Sequence, residues 1–176
     1  SILCDKFDID VWELIRLANR HPRVNILQPS AGVSGHCIAI DPWFIVHKGG
    51  QDAKLIRTAR EVNTYKTQWT LEKIKNTALA FEKDRPTKAK VACMGLAFKP
   101  DIDDLRESPA LLITQSLVDE GIDVLAVEPN IKFYDGLTLV NYQDAIREAD
   151  IVVFLVAHKE FRGLKVNNAL DFCGVL

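Results

Sequence analysis

Lys90-Val91-Ala92-Cys93-Met94-Gly95-Leu96-Ala97-Phe98-Lys99-Pro100 is the stretch on which the fold class turns. A short apolar run reaches a single glycine and then a loop with a cation, the form of a buried strand ending at the edge of a sheet. Just downstream, Ser108 and Pro109 pair a side-chain cap with a proline at the first helical position, which predicts a helix over 108–120. Apolar runs at 124–127 and 151–156, and a weaker one at 137–140, predict further strands, with a second helix over 142–149. Strands alternating with helices predict a parallel sheet covered by helices, a Rossmann-like α/β unit.

Upstream the pattern differs. Asp10-Val11-Trp12-Glu13 is a capping box, and Val11, Leu14, Ile15 and Ala18 repeat at helical spacing, so a helix is expected to run to about Asn19 and to stop before Pro22. Residues 21–40 carry Pro29, Gly32 and Gly35 without periodicity and read as an ordered loop, a length that usually has a function. Residues 52–83 hold neither Gly nor Pro and predict one long helix. Arg85-Pro86-Thr87 is the clearest boundary, giving a helical region over 1–86 and the α/β unit over 87–176. The chain begins with Ser1, and residues 1–7 read as the end of a helix, so a fragment of a longer protein is expected.

The chain has 176 residues, 22 Lys plus Arg against 24 Asp plus Glu, a formal charge of −2 and 48% hydrophobic residues, which is ordinary globular composition. The basic excess of a nucleic-acid binder is missing, so nucleic acid is not an expected partner. The longest apolar run, residues 151–157, is far short of the ~20 residues that span a bilayer. No membrane partner and a cytoplasmic location are therefore expected. Cys4, Cys37, Cys93 and Cys173 are too scattered for a zinc cluster or a disulfide framework.

Residues 28–42 carry the densest chemical signal. Glycines at this density let a backbone approach a ligand and aim N–H groups at it. Cys37 follows at once, where unpaired N–H groups of a starting helix favour a thiolate, and Asp41 stands four residues on, where it can share a face with Cys37. Two readings stand: a nucleophile with a carboxylate that orients water, or a structural cysteine. His36 has the chemistry of a base, but sequence neighbours do not face each other along a helix, so a lining or capping role is expected. His21, His47 and His158 read as satisfied surface or loop residues. In the second stretch, Lys99, Arg106 and the helix N-terminus together suit a pyrophosphate, or the two cations neutralise Asp101, Asp103, Asp104 and Glu107. Gly95 stands alone where a dinucleotide fold needs G-x-G-x-x-G, which disfavours NAD in this domain, and Glu128 at the end of the next strand is a weak hint of a ribose contact.

Four pieces carry a resemblance that covers nearly the whole chain: Val11-Trp12-Glu13-Leu14-Ile15-Arg16-Leu17-Ala18-Asn19, His21-Pro22-Arg23-Val24-Asn25-Ile26-Leu27-Gln28-Pro29, Gly35-His36-Cys37-Ile38-Ala39-Ile40-Asp41-Pro42-Trp43-Phe44 and Gly95-Leu96-Ala97-Phe98-Lys99-Pro100. The sequence resembles the UDP-glucose/GDP-mannose dehydrogenase family. That resemblance implies an NAD-binding Rossmann domain, a central helical region forming a homodimer, and a C-terminal Rossmann-like domain that takes a UDP-sugar; this chain matches the latter two. It further implies oxidation of a sugar C6 alcohol to a carboxylate through a cysteine thioester, with NAD as cofactor, for bacterial surface polysaccharide. Cys37 matches the nucleophile and Asp41 the acid that activates water. Gln28, Ser30, Gly32, Ser34 and Gly35 match the loop around the sugar and diphosphate, Phe98 and Lys99 the nucleotide contacts, Arg106 an arginine reaching toward NAD, and Arg23 an arginine lent to the neighbouring subunit's substrate. The tract through Trp43-Phe44 resembles the branch acting on UDP-linked N-acetylmannosamine; the UDP-glucose and UDP-N-acetylglucosamine branches are the alternatives.

Three positions depart from the family pattern: Ser30 and Ser34 where glycine is usual, and Ala31 where proline is. Ser34 is expected to strain a left-handed position or to crowd the sugar, weakening binding. The family's catalytic lysine and asparagine precede the point where Ser1 stands. The isolated chain is therefore expected to fold, dimerise and bind UDP or a UDP-sugar without turnover; an inert remnant would do none of the last two.

Overall fold

The computed structural model describes every residue apart from Asp84. Two short helices come first, α1 (Ile2–Lys6) and α2 (Val11–Ala18). The carboxylate of Asp10 accepts the N–H groups of Trp12 and Glu13 at 2.8 and 3.2 Å, so the predicted cap starts α2. Asn19 at its other end clasps the backbone of Ile26 through both amide atoms, at 2.7 and 3.0 Å, and so turns the following loop.

That loop ends sooner than expected. Helix α3 (His36–Gly49) already begins at His36, with Pro42 inside it. Proline normally breaks a helix by removing a donor and crowding the turn before it, which is why the sequence reads as loop to residue 40. Here Gly35 reverses the chain at φ +112° and launches the helix, which accommodates Pro42. Helix α4 (Lys54–Glu82) follows, 29 residues long and roughly 43 Å at 1.5 Å per residue. It fills the span predicted as one helix.

The second half forms a parallel sheet from β1 (Lys90–Met94), β2 (Asp123–Val127), β3 (Ile151–Phe154) and β4 (Ala169–Asp171), in the order β2-β1-β3-β4. Helices α5 (Pro109–Asp119) and α6 (Tyr142–Glu148) cover it. The hydroxyl of Ser108 accepts the Leu111 N–H, so Ser108 and Pro109 start α5 as predicted. The predicted strand at 137–140 amounts to two isolated bridges, Leu139 to Ala126 in parallel and Leu137 to Tyr134 antiparallel, and β4 was not anticipated because three residues carry too little pattern.

Alternation along β1 sets the two cores. Val91 and Cys93 face Ile113 and Leu117 of α5 together with Ile74 and Ala78 of α4, whereas Ala92 and Met94 face Phe154, Phe161 and Ala145. The C-terminal half of α4 therefore belongs to the core of the sheet unit. Among the described residues no helix is long and apolar enough to cross a membrane.

Candidate functional site

The loop between α2 and α3 is held against α4 by two polar side chains four residues apart. Asn63 accepts the Val33 N–H at 2.8 Å and donates to the Val33 carbonyl at 3.0 Å, while the Thr67 hydroxyl donates to the Ala31 carbonyl at 3.2 Å. Ser30 folds onto its own turn, its hydroxyl donating to the Gly32 carbonyl at 2.9 Å. Gly32 has no room for a side chain: a Cβ there would sit 2.7 Å from the Thr67 hydroxyl and 2.9 Å from the ring of Pro109. The Ser34 hydroxyl donates to the Glu107 carbonyl, stapling the loop to the segment before α5.

This anchoring opens a cavity of about 310 Å³ at the end of the sheet. Gln28, Ser30 and Gly32 form one wall, and Phe98, Lys99 and the Pro109 end of α5 form the opposite one, with Val156 and Cys173 at the base. Five of the expected substrate residues thus meet in one cleft: Gln28, Ser30, Gly32, Phe98 and Lys99. Gly35 touches its edge indirectly, since a Cβ there would lie 3.1 Å from the Phe98 ring. Lys99 is exposed, its Nζ 5.6 Å from the Phe98 ring centroid, and it pairs with no acid among the described residues. Of its two readings, the cation remains available to an anion.

Arg106 follows the other reading. Its guanidinium grips Asp104 at 2.6–3.0 Å through Nε and Nη2, and this contact holds the Asp104 carboxyl down at about 2, aided by the Arg106 N–H and more distantly by His36. Arg106 is in turn raised by Asp104 first and, as a lesser influence, by Cys37. Arg23 is exposed, offers its N–H to His21 Nδ1 and does not line the cleft.

Cys37 stands exposed in the first turn of α3, with its Sγ 3.2 Å from His36 Nε2. This corrects the capping role expected of His36. In the first turn no preceding turn stacks against the side chains, so the two neighbours are free to converge. Asp41 lies one turn further along the same exposed face of α3. Neither Cys37 nor Asp41 lines the 310 Å³ cleft. Cys93, by contrast, is fully buried, which pushes its thiol up to about 12, and burial drives Cys173 upward as well.

The structure overturns the strain expected at Ser34 and the ribose contact hinted for Glu128. Ser34 is not among the residues with positive φ, so replacing glycine there strains no backbone, and its hydroxyl has found the Glu107 carbonyl. Glu128 is no ribose ligand: it is 4% exposed, and its carboxylate accepts the N–H groups of Leu96 and Ala97 at 2.8 and 2.9 Å, Asn130, and His158 Nε2 at 3.0 Å. His158, read as a satisfied surface or loop residue, is a satisfied loop residue that is fully buried, and its Nδ1 accepts the Asp101 N–H at 3.0 Å. The turn after β1, where a dinucleotide fold would cradle a pyrophosphate, is thus filled by the chain's own carboxylate. That turn offers no pyrophosphate cradle, and Arg106, the residue expected to reach NAD, is exposed and paired with Asp104.

An apolar cleft with a free cation lies at the strand ends of a parallel sheet, and an exposed thiol stands at a helix start in the helical unit ahead of it. The UDP-binding domain of the UDP-glucose/GDP-mannose dehydrogenase family matches residues 92–173, and the central domain of the same family matches residues 1–65. The chain belongs to that family. It is 55% identical over 181 aligned positions to a UDP-N-acetyl-D-mannosamine dehydrogenase of Campylobacter jejuni, covering 98% of this chain and 43% of that protein. It is 53% identical to an NDP-N-acetyl-D-galactosaminuronic acid dehydrogenase of Ralstonia nicotianae, covering 93% of this chain and 39% of that protein. A solved UDP-N-acetyl-mannosamine dehydrogenase of S. aureus superposes with a TM-score of 0.82 at 36% identity, covering 99% of this chain and 42% of that one. The chain spans about two fifths of the length of the relatives it matches.

Proposed function

We propose that this chain is the thiol-bearing and sugar-nucleotide-binding part of an NAD-dependent UDP-N-acetyl-D-mannosamine 6-dehydrogenase serving bacterial surface polysaccharide synthesis in the cytoplasm. The observation that supports this most is the cleft in which Gln28, Ser30 and Gly32 of one unit face Phe98 and Lys99 of the other. A nucleobase has an aromatic ring to stack on, a diphosphate has Lys99, and the loop at 30–32 offers backbone groups to a sugar.

In this reading Cys37 carries the oxidised C6 carbon as a thioester, and Asp41 orients the water that adds to the acyl carbon as the C–S bond breaks, leaving a carboxylate and a thiolate. NAD, which takes the hydrides in the complete enzyme, finds no cradle in the residues described above. The isolated chain accordingly produces no NADH. A homodimer through the helical region is part of the same proposal: Ile38, Phe44 and Ile45 of α3 and Leu55, Val62 and Tyr65 of α4 are all more than half exposed, an apolar area that a second copy would cover. In the same reading Arg23, outside the cleft of its own chain, serves the partner's.

Calorimetric titration with UDP and UDP-N-acetylmannosamine tests this. Binding that Lys99→Ala weakens by about tenfold or more, the scale of a charged hydrogen bond, supports it. A folded chain that binds neither ligand refutes it.

A further inference from the structure

The Cys37–His36 contact belongs to no role derived so far. We propose that His36 is the base that takes the Sγ proton of Cys37, so that the sulfur attacks as a thiolate with the imidazolium beside it at the start of α3. This rests on the reading of Cys37 as the nucleophile and adds the group that prepares it. The geometry carries it: Sγ and Nε2 are 3.2 Å apart, within reach of direct proton transfer, and both side chains are exposed, so no burial opposes the charged pair. The step balances simply. The S–H bond breaks, the proton goes to Nε2, the electron pair stays on sulfur, and Nδ1 keeps the proton of the neutral ring.

The surroundings suit such a pair. The loop before α5 presents Arg106 and Asp104, themselves joined at 2.6 Å, and α3 presents Asp41 one turn on. Arg106 is influenced by the charge of Cys37 and Asp104 by that of His36, so each charge of the pair meets its opposite from across the loop. The unpaired N–H groups of the first turn of the 14-residue α3 add a further attraction for sulfur. Because Asp104 and Arg106 come from the sheet unit, the readiness of the thiol depends on how the two units pack. Asp41, the remaining acid, is left free for water.

The test is alkylation of this chain by iodoacetamide at pH 7, followed by mass spectrometry at each cysteine. Sulfur displaces iodide, so the rate reads the thiolate without any dehydrogenase activity. Parent Cys37 should react at least about tenfold faster than in His36→Gln, the scale set by one neighbouring opposite charge on an ionisation. Buried Cys93 should stay unlabelled in both, reporting an intact fold. In His36→Gly, added imidazole should restore most of the rate. Equal rates in parent and His36→Gln, or a His36→Gly chain deaf to imidazole, overturn the proposal. The UDP titration stands apart from this: loss of nucleotide binding with His36-dependent alkylation intact removes the dehydrogenase reading and leaves the pair standing.

Discussion

Replacing Glu128 by glutamine keeps its shape and removes its charge, which isolates what the buried carboxylate does. Its Oε2 accepts three donors, from Leu96, Ala97 and His158 Nε2, and its Oε1 accepts the backbone and side-chain N–H groups of Asn130 at 3.0 and 3.1 Å. A glutamine has one oxygen. Turned the better way, it keeps three bonds and points an amide N–H₂ at the two Asn130 donors, of which the side chain alone retains another partner, His158 Nδ1 at 3.1 Å. Stranding buried donors costs about 1–3 kcal/mol each, and losing bonds to a charged acceptor adds to this, so Glu128→Gln should lower stability by about 3–4 kcal/mol. Urea unfolding at pH 7 measures it. The pH dependence has a defined sign. Burial works to raise the Glu128 carboxyl, but hydrogen bonds from His158, Leu96 and Asn130 outweigh it and hold the group below its ordinary 4.5. A carboxylate lowered in the folded state contributes fully above that ordinary value, and the contribution is lost as pH falls through the folded one. The gap between parent and variant should therefore be full near neutrality and close in acid. A loss under about 1 kcal/mol at pH 7, or a gap that persists unchanged in strong acid, refutes the reasoning.

Three other expectations concern the same framework. Gly32→Ala forces a Cβ to within 2.7 Å of Thr67 and 2.9 Å of Pro109, so unfolding should show a loss of about 1–3 kcal/mol, as for other overpacked sites, and UDP affinity should fall as the cleft wall shifts. Ser34→Gly removes the bond to the Glu107 carbonyl and relieves no strain; stability should drop by about 0.5–1.5 kcal/mol while calorimetry finds UDP affinity unchanged within about threefold. Lys66, desolvated beside Trp69 with its Nζ 3.9 Å from the ring, is lowered to about 8 from 10.5. The unfolded chain then binds more protons between those values, so stability should rise with pH across that window by about 1–2 kcal/mol after allowing for solvent, and Lys66→Met should flatten the rise in denaturation curves taken at several pH values.

The strands at 90–94, 123–127 and 151–154 were legible because buried parallel strands are written as continuous apolar runs, and the start of α5 because Ser108 and Pro109 act within one turn. The cleft was legible to the extent that its residues sit in two short, glycine-marked stretches, 28–35 and 95–100. What escaped was non-local. Glu128 and His158 are thirty residues apart and meet only after the sheet has formed, so no spacing announces them. Asn63 and Thr67 show as polar interruptions of a helical pattern, but nothing nearby says that they hold Val33 and Ala31. The beginning of α3 was hidden by Pro42, a local breaker overruled by the surrounding helix, and the meeting of His36 and Cys37 by a rule for helix interiors that does not govern a first turn.

Helix α4 has a bearing on how this chain can be divided or recombined. Ile74 and Ala78 reach into the layer between β1, β3 and α5, while Asn63 and Thr67, earlier on the same helix, grip the loop that walls the cleft. A cut at the apparent seam near Pro86 would leave the sheet with an open apolar furrow, and a graft of residues 87–176 onto another helical unit would bring a furrow with no matching ridge. Exchange between relatives should instead carry α4 with the sheet and make the junction near Ala53, where a short turn separates α3 from α4. Seen this way, the long helix is the inherited part of the nucleotide unit, and the piece that can be swapped is the thiol-bearing segment ahead of it.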